Sequence, residues 1–284
     1  MMAVYVLLII ISIIWGGSFV VVKEVLPFIS PINLAFLRFL ISSSIMLILL
    51  FLSKKSRAIA PKDIGWVSLL GLTGVTLLYL LQYTGIYYTN ASSASILINT
   101  NVIFIALLAS LFLREKIGMK RAFGIFIAFI GVIFVTSINP ISDGNFIIGG
   151  ILVILSGLCW AVYSIIGKYL MRRYDDFTLN TYAFALGTLF FLPFLDYKQM
   201  ETLTISPNLW FALFYLSILS TVLGYTVWYY SLSKMDASKT AVFLNLIPLS
   251  AMLFSVVFLN EMLTPQFLIG ALLILFGVYI TQKG

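Results

Sequence analysis

A chain of 284 residues that is 62% hydrophobic and only 10% charged is not composed like a soluble domain, which is about half apolar and about a quarter charged; the surplus apolar surface has to face lipid. The formal charge of +7 sits in short loops, as set out below, so it needs no nucleic acid to explain it. One cysteine, Cys159, excludes an intrachain disulfide, and the lack of histidine removes the usual near-neutral base and the commonest metal ligand.

A helix crossing a hydrocarbon layer of roughly 30 Å needs about 20 mostly apolar residues, and ten such stretches are predicted. The first runs from Ala3 to Val22. It lacks the basic start of a secretory signal and has no A-x-A-like site before Lys23, so it reads as a retained membrane helix. The others in the first half run from Pro31 to Leu52, Ile64 to Gln82, Ala91 to Leu113 and Met119 to Thr136. In the second half they run from Phe146 to Ile166, Phe177 to Phe194, Leu209 to Tyr230, Ala237 to Leu259 and Pro265 to Gln282. The connections are short, leaving no room for a soluble domain.

Basic residues concentrate in alternate loops. Lys54, Lys55, Arg57 and Lys62 follow the second helix, and Arg114, Lys116, Lys120 and Arg121 follow the fourth. Lys168, Arg172 and Arg173 follow the sixth; Lys234 and Lys239 follow the eighth; Lys283 lies at the end. The opposite loops carry only Lys23 and Lys198. Lysine and arginine mark the cytoplasmic side, so both termini are expected there, in the plasma membrane, with anionic lipid around the basic runs.

Sliding the chain by 146 positions places Ala91-Ser92 on Ala237-Ser238, Asn99 on Asn245, Glu115 on Glu261, Gly124 on Gly270 and Gly131 on Gly277. Tyr79 falls on Tyr225 and Tyr83 on Tyr229; at 145, Trp15 falls on Trp160 and Lys23 on Lys168. Each copy holds five spans, an odd number, so the second must enter the membrane from the other side. The expected architecture is therefore an all-α integral membrane protein of ten transmembrane helices in two inverted five-helix repeats, 1–140 and 141–284. Such repeats mark transporters whose site lies near the midplane between the halves.

Trp15-Gly16-Gly17-Ser18-Phe19 followed by Lys23, Pro31 and Arg38-Phe39, together with Glu115, Gly124 and Gly131 repeated as Glu261, Gly270 and Gly277, resembles EamA-type proteins of the drug/metabolite transporter superfamily. The resemblance covers essentially the whole chain in two copies. It implies a ten-helix carrier of small organic solutes, often amino acids or related metabolites, commonly directed outward. The second copy departs from the pattern by placing Ala183 or Phe184 where the first has Arg38.

Arg38 is the one charge well inside a predicted span, roughly 10 Å past Pro31 at about 1.5 Å per residue. At that depth it costs at least about 2.5–3.5 kcal/mol and should face protein or a wet cavity. It is either an anchor for a substrate carboxylate or gate contact, or a lock on backbone carbonyls between helices. Asn99 and Asn245, entering from opposite faces, both reach the midplane. Thr100 and Asn101 flank the first, and Pro248 follows the second and frees a carbonyl. These asparagines read as a central polar site, or as interhelical hydrogen bonds worth about 0.6 kcal/mol. Trp15, Tyr79, Tyr83, Trp160, Tyr163, Tyr225 and Tyr229 form an aromatic set suited to an amphipathic solute. The alternative is an interfacial belt, to which Tyr83 and Tyr229, at span ends, are the best candidates. Gly124, Gly131, Gly270 and Gly277 read as helix packing. Glu115 and Glu261 read as helix N-terminal carboxylates or gate partners, and Lys23-Glu24 similarly.

The substrate-binding candidates are thus Trp15, Arg38, Tyr79, Tyr83, Asn99, Asn101, Trp160, Tyr163, Tyr225 and Asn245. Membrane lipid and a small organic solute are the expected partners, with no nucleic acid, metal or cofactor, and a monomer fits the pattern. An enzyme would need a nucleophile, base or metal cluster within the bilayer, and no phosphate-binding G-x-x-x-x-G-K-[ST] loop occurs. A non-transporting sensor or assembly protein, or a carrier of nucleotide-sugar-like or drug-like compounds, is the alternative to an amino-acid carrier. No acid is expected in mid-span to couple protons, which favours facilitated export or exchange.

Overall fold

The computed structural model describes residues 2–53, 58–113, 118–137, 144–204, 206–235, 240 and 242–283. Among these every regular element is helical. Seven helical stretches are long and apolar enough to cross a membrane, and three shorter apolar ones, Ala122–Gly131, Phe243–Leu259 and Pro265–Ile280, fall at the predicted fifth, ninth and tenth positions.

The helices are α1 Met2–Val25, α2 Pro31–Leu52, α3 Pro61–Tyr88, α4 Ala91–Ile98, α5 Asn101–Leu113, α6 Met119–Ser137, α7 Gly144–Leu170, α8 Asp176–Phe190, α9 Tyr197–Thr202, α10 Pro207–Lys234, α11 Leu246–Leu259 and α12 Pro265–Lys283. Their starts follow ordinary capping chemistry. Ser30, Asn90 and Asp175 accept the backbone N–H three residues on, and Pro31 and Pro207 occupy first helical turns. Large hydrophobic side chains such as Phe51, Phe129 and Phe258 remain exposed on the outer faces of the bundle, the surface that lipid would cover.

Three departures from the expected helices position the site. First, α3 runs to Tyr88 rather than stopping near Gln82. Second, both α3 and α10 contain a π-helical segment, Leu72–Leu77 and Tyr215–Leu223. Such wide turns leave carbonyls available to other partners. Third, the expected helix from Ala91 to Leu113 is broken. The amides of Asn99 and Thr100 donate to Ile96 and Leu97, three residues back, and α5 starts anew at Asn101. Its counterpart is also irregular, with a 3₁₀ turn over Val242–Asn245 leading into α11.

The most extensive helix contact joins α6 to α12. Glycine makes it so close: a Cβ at Gly131 would lie 2.7 Å from the Gly270 carbonyl oxygen, and one at Gly277 would lie 2.5 Å from the Gly124 carbonyl oxygen. The packing expected of these glycines is what the structure has. Elsewhere α1 packs on α11, α7 on α3 and on α4–α5, and α2 on α8. At one end the Asp63 carboxylate accepts from Arg173 at 3.0 Å and Tyr174 at 2.8 Å. At the other, Asn33 joins the backbone of Asp196 and the side chain of Gln199.

Candidate functional site

A cavity lies inside the bundle between α1, α2, α3, α7, α10 and the α4–α5 break. Trp15, Arg38, Tyr79, Tyr83, Asn101, Trp160 and Tyr225 all line it. Ser18, Phe19, Val22, Leu78, Gln82 and Ser220 complete much of its wall.

Arg38 is 1% exposed. Its Nε donates to Thr221 Oγ1 at 2.6 Å and its Nη1 to Tyr83 Oη at 2.5 Å. Its Nη2 donates to Tyr79 Oη and to Ser220 Oγ, both at 3.1 Å. In place of the lock on backbone carbonyls that was one expected alternative, the guanidinium is held by four neutral hydroxyls. The Tyr79 ring lies under it, 4.3 Å from Cζ to centroid, where the ring face attracts a cation. These contacts hold the charge in place without neutralising it, and a guanidinium with four such bonds keeps a donor on Nη1 to spare. The π-helical segment of α10 presents Ser220 and Thr221 to Arg38.

Trp15 and Trp160 meet edge to face at 5.6 Å, with Tyr225 5.4 Å and Trp228 5.4 Å from Trp160. Trp15 Nε1 donates to the Ser220 carbonyl at 2.8 Å. Trp160 Nε1 and Asn101 Oδ1 are buried without a hydrogen-bond partner. Tyr79 and Tyr225 share a hydroxyl–hydroxyl bond of 2.9 Å, and Asn99 Nδ2 donates to Asn245 Oδ1 at 2.8 Å. The two asparagines sit at the broken points of their helices and pair with each other; neither lines the cavity.

The two ends of the cavity differ. Towards the end of α1 the cavity extends along Phe19, Val22, Tyr83 and Ile86, all of them buried. Towards the end of α7, Tyr163 and Tyr229 pack at 5.2 Å, and with Trp228 they are at most 1% exposed. An interfacial belt is therefore the wrong reading of Tyr83 and Tyr229. Their helices continue beyond them, and both lie in the interior. Tyr163 donates to Asn180 Oδ1 at 2.5 Å and belongs to the closed end, outside the cavity lining.

Lys23 and Glu261 cap helix ends. Lys23 Nζ donates to the carbonyls of Ile86, Tyr87 and Thr89 at the C-terminus of α3, and Lys168 Nζ donates to the Met235 carbonyl at the end of α10. Glu261 does not cap α12, which it precedes. Its carboxylate accepts from the amides of Ala91 and Ser92 at 2.8 and 3.1 Å and from Ser92 Oγ at 2.6 Å, at the start of α4. That is the favourable end of a helix for a carboxylate. Glu115 lies outside the described residues. Sequence reasoning missed Ser220, Thr221, Ser18 and Gln82 as site residues, because small polar residues in apolar spans carry no distinctive spacing.

A bundle of long apolar helices around a polar, aromatic-walled cavity defines a multi-pass membrane protein. The comparisons with known proteins place it more narrowly. The model of the EamA-like transporter family matches twice, over residues 2–137 and 147–282, and the chain belongs to that family, within the drug/metabolite transporter superfamily. An uncharacterized transporter of Archaeoglobus fulgidus is 39% identical over 98% of this chain and 96% of its own. The uncharacterized transporter YyaM of Bacillus subtilis is 29% identical over 99% and 93%. A solved crystal structure at 16% identity superposes with a TM-score of 0.69 over 96% of this chain and 94% of that one, a likeness of fold.

Proposed function

We propose that this transporter is an alternating-access secondary carrier of ten spans, built as two inverted five-helix repeats. It lies in the plasma membrane with both termini cytoplasmic, and exports or facilitates passage of amino acids or related metabolites. One observation carries the reading: three pairs of repeat counterparts touch each other. Trp15 meets Trp160, Tyr79 meets Tyr225, and Asn99 meets Asn245. Counterparts meet only on a shared two-fold axis, and two of these pairs line the cavity, so the axis runs through it. Helix contacts support the same relation: α6 with α12 and α2 with α8 are self-paired, and α1 on α11 mirrors α7 on α4–α5. Broken helices meeting at such an axis suit a midplane solute site.

The cavity chemistry narrows the solute. Arg38 offers a held, unneutralised positive charge and a spare donor, which suits a carboxylate. Asn101 Oδ1 offers an unmatched acceptor, which suits an ammonium, and the indole and phenol rings suit an apolar body. Among the described residues no acid lines the cavity, in keeping with movement down the solute gradient. Purified protein in liposomes, given a panel of labelled amino acids and related metabolites, should move at least one, with little dependence on imposed proton or sodium gradients. Trp15→Ala or Asn99→Ala should reduce that flux. No flux above empty vesicles across a broad panel would overturn the carrier reading in favour of a sensor.

A further inference from the structure

We propose that Trp15 and Trp160 exchange one hydrogen bond as the carrier switches, so that in each state one indole N–H is tied to backbone and the other is presented to the solute. The argument starts from two carbonyls. Ser220 and Gly74 are repeat counterparts, 146 residues apart, and each lies in the π-helical segment of its span. The Ser220 carbonyl accepts from Trp15 Nε1 at 2.8 Å. The repeat relation would have the Gly74 carbonyl accept from Trp160 Nε1. It accepts from Tyr225 Oη at 3.3 Å instead, and Trp160 Nε1, in a residue only 7% exposed on the cavity wall, has no partner.

An unpartnered indole N–H is costly when buried, and this one belongs to a residue of the cavity wall. Exchanging the roles of the two repeats describes the opposite state completely. Trp160 Nε1 bonds Gly74, Tyr79 Oη takes over Ser220, and Trp15 Nε1 is released into a cavity opened at the other end. The same number of backbone carbonyls is satisfied in both states, so switching loses no hydrogen bond. Trp160 is thus the recognising donor of the state in which the cavity extends along Tyr83 and Ile86, and Trp15 that of the other. This rests on the inverted-repeat reading given above.

The closed end supplies the lever for a test. A Cβ at Gly167 would lie 2.8 Å from Tyr229 Cζ, and Tyr229 is fully buried, so Gly167→Val should pry that end open. Lys168→Met, which removes the tie to Met235, is a milder second lever should the valine impair folding. Two readouts are taken on protein in nanodiscs. Maleimide labelling of Ile86→Cys and of its counterpart Leu232→Cys, in a Cys159→Ser background, reports which end is open. Indole ¹H–¹⁵N spectra of tryptophan-labelled protein, assigned by single Trp→Phe variants, report which N–H is bonded.

In the parent protein Ile86→Cys should react and Leu232→Cys should not, with Trp15 bonded and Trp160 free. With either lever the labelling preference should reverse by on the order of tenfold, and the two indole signals should exchange character. Reversed labelling with Trp15 still bonded and Trp160 still free overturns the exchange alone. Labelling that reverses with neither lever overturns the inverted-repeat reading and the exchange with it.

Discussion

The hydroxyl cage around Arg38 makes a quantitative demand on Tyr83. The substitution Tyr83→Phe removes one oxygen and little else, and strands a guanidinium donor that now bonds it at 2.5 Å. Hydrogen bonds to charged groups contribute about 1.5–3 kcal/mol, and a buried donor left without a partner costs its desolvation. With Arg38 only 1% exposed, water is a poor substitute, so the expected loss of stability is about 2 kcal/mol. In an Arg38→Met background the Tyr83 hydroxyl has no cation to hold, and the same substitution should cost under about 0.5 kcal/mol. The coupling from the double-mutant cycle is then about 1.5–2 kcal/mol, within the range for residues in one network. Reversible unfolding of all four proteins in mixed micelles measures it. Equal costs of Tyr83→Phe in both backgrounds would refute the claim that Arg38 depends on this cage.

Other substitutions have equally defined outcomes. Gly277→Val should destabilise by about 1–3 kcal/mol or more through overpacking against α6. Gly65→Ala, which meets open space in a helical turn, should be neutral or stabilising by up to about 1 kcal/mol; thermal melts separate the two. Asn99→Leu strands Asn245 and should cost about 1–2 kcal/mol, whereas the Asn99→Leu/Asn245→Leu double variant should cost less than the sum of the singles, a difference visible in the same melts. Glu261→Ala removes three hydrogen bonds at the start of α4 and should cost about 1–2 kcal/mol. Hydrogen exchange should rise first over residues 91–95.

What could be read in the sequence was whatever hydropathy and the 146-residue offset control. The apolar stretches, the packing role of the glycines on α6 and α12 and the place of Trp15 and Trp160 on a cavity wall needed only periodicity and the repeat; which helices and rings would meet did not follow from them. Other features depend on partners far along the chain. Ser220 and Thr221 bind Arg38 across more than 180 positions, and nothing in their local pattern distinguishes them from helix-packing hydroxyls. The polar run of Gln82, Tyr83 and Thr84 lowers hydropathy enough to suggest a span end, yet burial against Arg38 keeps α3 going to Tyr88. The α4–α5 break was invisible for the opposite reason. Ile96-Leu97-Ile98 reads as uninterrupted helix, and the cross-bundle bond from Asn99 to Asn245 accompanies the break there. Glu261 was expected to favour the helix it precedes, whereas folding brings the bare amides of α4 within its reach.

All of this depends on the two halves lying in opposite senses across the bilayer. Lys62 and Lys198 are exposed residues in corresponding loops of the two halves. In a Cys159→Ser background, cysteine at 62 should react with an impermeant maleimide only from the cytoplasmic face, and cysteine at 198 only from the opposite face. Reaction of both from one side would contradict the inverted arrangement, and with it the shared axis on which the cavity is built.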